Sequence, residues 1–137
     1  MLRSATLGVG ILVAFVGDDA PRPLENTYWQ ATHLGGTPVV AASPQKEPHL
    51  VLNSETRRVS GSGGCNRVTA SYDLRGDSLT FGPMAGTLMA CPQGMETEKA
   101  FFESLGRVKH WKIVEQRLEL LDAARKVLAR FEAVETK

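Results

Sequence analysis

Only one stretch of this chain, residues 93–108 (QGMETEKAFFESLGRV), repeats its apolar residues at helical spacing. Phe101, Leu105 and Val108 fall four and three apart and so share one face, with Met95 and Phe102 flanking it. Glu96 and Glu98 stand early in the stretch, where a helix dipole favours negative charge, and Gly106 stands near its end. Nearly everything else from Glu25 onward is cut into strand lengths. Residues 26–32 (NTYWQAT), 49–53 (HLVLN), 57–60, 68–74 (VTASYDL), 78–81, 109–115, 117–121 and 126–134 are β-branched, aromatic or alternating. Gly76 suits a hairpin turn between two of them, residues 122–125 turn between the last two, and residues 39–48 fit neither pattern. One helix inserted among many short antiparallel strands predicts an α+β domain. Its form is a small, strongly curved antiparallel sheet or an incomplete β-barrel around one core.

A sheet that curves so sharply needs bends, and residues 61–67 (GSGGCNR) offer one. Glycines in a strand pattern mark a bulge, a bend or a close backbone approach, and Asn66 tolerates left-handed backbone. The stretch therefore reads as a corner between two strands. The competing reading makes Cys65 a loop thiolate, favoured by Arg67 beside it, in a thiol-dependent enzyme or redox protein. Nothing in the sequence brings a histidine to it, because His33, His49 and His110 are each isolated. The cluster also lacks the Gly-Lys-Ser/Thr ending of a phosphate loop. Two cysteines without clustered histidines make a poor zinc site. The carboxylate pairs Asp18-Asp19 and Glu96/Glu98 carry no sign of a cleft, and Arg75-Gly76-Asp77 sits where a turn is wanted. No catalytic, cofactor-binding or metal-binding residue is expected, and no enzyme.

The beginning of the chain differs from the rest. Residues 1–6 carry one positive charge, residues 7–17 (LGVGILVAFVG) are apolar throughout, and Asp18-Asp19 ends the run. Eleven apolar residues are too few for a membrane-spanning helix, which needs roughly 20. The pattern is that of a secretory signal peptide over residues 1–20, followed by a linker at 21–24 and one domain at 25–135. Export to the periplasm or cell envelope would favour pairing Cys65 with Cys91, the only two cysteines. A net charge of +1 with scattered basic residues gives no footprint for nucleic acid. The mature domain is expected to be monomeric and not transmembrane.

Three features together carry a resemblance: Asn26-Thr-Tyr-Trp-Gln30 opening the domain, Gly64-Cys65-Asn66-Arg67 in its middle, and Thr87-Leu-Met89-Ala90-Cys91 before the helix. Glu98, Phe102, Leu105 and Trp111 fit the same pattern, whereas Ala70 stands where that pattern has glycine. Over about residues 24–134 the chain resembles the META domain (HslJ-like, heat-shock) family. The resemblance implies a small barrel-like exported or envelope domain, linked to stress, with no enzymatic activity and no cofactor. Its shared residues would then be architectural: a Cys65–Cys91 disulfide, with Trp29 and Trp111 in the core. Such a domain would act by binding an envelope protein or a small apolar ligand.

Overall fold

The computed structural model describes residues 21–41 and 46–135, so the signal peptide expected at 1–20 lies outside the described residues. Among the described residues, ten strands form one sheet: β1 (Tyr28–Leu34), β2 (Thr37–Pro38), β3 (His49–Asn53), β4 (Arg58–Ser62), β5 (Arg67–Arg75), β6 (Ser78–Phe81), β7 (Ala85–Gly86), β8 (His110–Val114), β9 (Arg117–Leu121) and β10 (Val127–Val134). The helix α1 (Met95–Gly106) is inserted between β7 and β8. The short strands β2 and β7 pair only on β1 and β5. The other eight follow the order β1-β3-β4-β5-β6-β8-β9-β10, and β10 returns to β1. The curved sheet thus goes beyond an incomplete barrel and closes into an antiparallel ring, whose thinnest seam is the single β6–β8 pair Ser78↔His110.

Alternation in the sequence becomes inside and outside in the ring. Leu50 and Leu52 of β3, Val59 of β4, Ala70 and Tyr72 of β5, and Leu118 and Leu120 of β9 all point to the core. Ala70 is almost wholly buried opposite Val59, so the smaller residue of the family pattern is not required at that point. Register shifts in β1 between Ala31 and His33, and in β10 between Val127 and Ala129, bend the two strands that close the ring.

The helix packs against β1, β6 and β10, burying Phe101, Leu105 and, just past its end, Val108. Phe101 meets Phe131 of β10 edge-on, with centroids 6.4 Å apart. Trp29 is fully buried and its indole N–H donates to the Leu24 carbonyl at 2.9 Å. Trp111, expected beside it in the core, instead lies at the core's margin. It packs there half-buried, and its indole N–H donates to the Gly76 carbonyl at 2.9 Å across the β6–β8 seam. An indole at a thin seam supplies both apolar cover and a hydrogen bond that the short pairing lacks. Among the described residues, no helix is long and apolar enough to cross a membrane.

Candidate functional site

Residues 61–67 connect β4 to β5, and they form the corner expected of them. The left-handed position is Gly64, at φ 113°, and not Asn66, which is absent from the positive-φ residues. Asn66 serves through its side chain instead. Gly63 is small for a different reason: a Cβ there would stand 2.8 Å from Cγ of Glu98, whose side chain lies across the corner.

Glu98 stands in the first turns of α1 and is 3% exposed. A buried carboxylate is costly unless its oxygens are hydrogen-bonded. Here Oε1 accepts the backbone N–H groups of Cys65 at 2.9 Å and Asn66 at 2.6 Å, while Oε2 accepts the Asn66 side-chain amide at 2.6 Å. Charge-assisted bonds of this kind are stronger than neutral ones.

Asn66 passes the constraint on to the segment between β7 and α1. Its Oδ1 accepts the Met89 N–H at 2.6 Å and the Thr87 hydroxyl at 2.8 Å, and its Nδ2 donates to the Met89 carbonyl at 3.0 Å. Thr87 Oγ1 in turn accepts the Arg67 N–H at 3.2 Å. One side-chain amide thus satisfies both main-chain groups of Met89, as a paired strand would. A disulfide between Cys65 and Cys91 closes the same juncture covalently, with Cα atoms 6.1 Å apart.

Residues of the two sequence motifs therefore meet: Cys65, Asn66 and the main chain of Arg67 on one side, Thr87, Met89 and Cys91 on the other. Gly64 shapes the corner itself, its N–H donating to the Ser62 hydroxyl at 3.0 Å. Ala90 is exposed on the loop between them. The three histidines are engaged elsewhere or apart: His49 stacks on Tyr28 at 4.5 Å, His33 contacts the Thr32 hydroxyl, and His110 sits in the β6–β8 seam. Glu98 does stand in the first turn, where helix-terminus electrostatics places an acid, but its burial and its three bonds to the corner are what that reading missed. The signal was present, since Glu98 shares the helix face of Phe101 and Leu105 at spacings of three and four. An acid on a buried stripe needs partners.

What the clasp supports is an exposed apolar face. Leu88, between the two clamped residues, is 98% exposed, and Met89 is 54% exposed. Together with Met95 and Phe102 of α1 they line an open groove of about 460 Å³, with Lys99 and Glu103 on its helical side. The barrel interior, by contrast, is filled by fully buried side chains such as Trp29, Leu50, Leu79, Leu118 and Phe131.

A family model described as META domain matches residues 22–135. Among solved structures, the chain is similar to a Burkholderia xenovorans protein determined by NMR. The two are 26% identical with a TM-score of 0.66, over 85% of this chain and 93% of the other. A second NMR structure is 24% identical with a TM-score of 0.62, over 80% and 90% of the two chains. A crystal structure of a DUF4847 family protein from Bacteroides vulgatus shares the fold, at 13% identity and a TM-score of 0.59 over 83% and 96%. No curated protein matches the chain.

Proposed function

Because the chain belongs to the META domain family over residues 22–135, we propose that it is a non-enzymatic, exported envelope domain that binds a protein partner. The observation that carries this reading is the apolar groove around Leu88, Met89, Met95 and Phe102, held in place by the clasp beneath it. Contiguous apolar exposure on a small domain is a mark of interaction surfaces. A small apolar ligand is less well supported, because side chains fill the barrel where such a ligand would sit. A thiol mechanism is also less well supported, since Cys65 is spent in the disulfide.

The test is capture from envelope extracts with the disulfide-intact protein and with Leu88→Asp. A partner retained by the first and lost by the second, with equal thermal stability of both proteins, supports the reading. A partner retained equally by both places binding elsewhere and overturns it.

A further inference from the structure

Resting on the partner-binding reading, we propose that residues 87–91 form a substrate-like inhibitory loop for a serine protease with a deep apolar primary pocket, and that Leu88 fills that pocket. Three features of the loop carry this.

The first is presentation. Residues 87–91 run without a turn or bend, and Leu88 is 98% exposed. A protease cleft takes its substrate as an extended strand and selects it chiefly by one side chain in a pocket.

The second is rigidity on both sides of that side chain. Thr87 is held through its hydroxyl by Asn66 and through its N–H by the Arg67 carbonyl at 3.2 Å. Met89 is held by Asn66 through both its N–H and its carbonyl. Between these two anchored residues Leu88 projects furthest, at 98% exposure against 54% for Met89. A loop already fixed in its bound shape avoids the ordering cost of association, and preorganised complexes of this size class are among the tightest known.

The third is what happens to the bond if it is cut. The protease serine Oγ would attack the Leu88 carbonyl carbon, giving an acyl-enzyme as the C–N bond to Met89 breaks. The serine proton passes through the protease histidine to the Met89 nitrogen, which becomes an amine. In an ordinary substrate that amine diffuses away and water takes its place. Here the new terminus stays, because Asn66 holds the Met89 carbonyl and nitrogen and Cys91, two residues on, is bonded to Cys65. An amine held at the acyl carbon has a high effective concentration and re-forms the peptide bond, returning the proton to the serine. Nothing is consumed, and the protease is left occupied.

The experiment uses the disulfide-intact protein against chymotrypsin, subtilisin and trypsin with chromogenic substrates. The expected result is tight inhibition of chymotrypsin or subtilisin and none of trypsin. Leu88→Gly is expected to weaken that inhibition roughly tenfold to a hundredfold, as loss of a buried leucine implies. Leu88→Lys is expected to transfer inhibition to trypsin. Both substitutions fall at a position that is 98% exposed, and both proteins are expected to keep the thermal stability of the parent. No inhibition of chymotrypsin or subtilisin overturns the proposal, as does rapid, complete cleavage between Leu88 and Met89, or inhibition indifferent to residue 88. A non-protease partner captured in a Leu88-dependent way would leave the binding reading standing and this inference fallen.

Discussion

Glu98 grips Asn66 twice: one carboxylate oxygen accepts the Asn66 backbone N–H and the other its side-chain amide, both at 2.6 Å. The second bond fixes the amide plane, so that its oxygen and remaining N–H face Thr87 and Met89. A carboxylate on the helix therefore helps set the position of a loop through Asn66, to which two of its three bonds go. The order of control runs from helix to corner to loop.

Replacing Glu98 tests that order. Glu98→Ala leaves three donors without this acceptor, two of them in buried bonds, and is expected to cost roughly 2–4 kcal/mol in urea unfolding, given about 1.5–3 kcal/mol for a bond to a charged group. Glu98→Gln keeps one acceptor oxygen but turns an N–H toward the Asn66 amide, so its cost should fall between Ala and wild type. Equal stability of all three proteins would show that the clasp contributes nothing.

Gly63 and Glu98 should behave as one unit. Gly63→Ala puts a methyl 2.8 Å from Cγ of a side chain bonded at its far end, which cannot swing away cheaply. Overpacking of this kind costs about 1–3 kcal/mol. In the Glu98→Ala background Cγ and Oε1 are gone and only the residue 98 Cβ remains, at 3.3 Å, so the same substitution should cost clearly less. A double-mutant cycle measures the difference, and additive effects would refute the contact.

The strands and the helix were legible because alternation and helical spacing follow directly from which face is buried. Residues 49–53, 78–81 and 117–121 coincide with β3, β6 and β9. Closure of the ring was not legible, since it depends on β1 meeting β10 across almost the whole domain, and no local pattern encodes that pairing. For the site, the glycines and cysteines announced a corner, but the use of Asn66 did not follow from its residue type. Asparagine suits both left-handed backbone and side-chain bonding, and only the approach of α1 decides between them. Trp111 was placed in the core by the resemblance alone, and a shared motif does not say how near the centre its residue lies: Trp111 packs against the core's margin from the thinly paired β8.

The disulfide should act on stability as a closed loop of its length does. With a sequence separation of 26, the chain-entropy model gives about 3.5 kcal/mol. Cys65→Ser with Cys91→Ser, or reduction by a dithiol, is expected to lower the denaturation midpoint accordingly. Hydrogen exchange at the Met89 amide should rise less than at Ala90, because Asn66 still holds Met89. Unchanged stability after verified reduction would assign the bond no role in the fold.

Both tyrosines of the chain should ionise late. Tyr28 is pushed up to about 12, first by burial and then by the charge and hydrogen bond of Glu47. Tyr72 is also raised, first by burial and then by its bond to the Glu25 carboxylate, while Arg57 over its ring pulls the other way. In the unfolded chain a phenol ionises near 10, so between about 10 and about 12 the unfolded state releases protons that the folded state keeps. Stability held below pH 10 is therefore lost as pH rises through this window. Tyrosinate absorbance should be nearly absent from the folded protein at about pH 10 and should appear together with loss of the folded circular dichroism signal. Half-ionisation near pH 10 with the fold intact would contradict both environments, and Tyr28→Phe would identify which of the two had been misjudged.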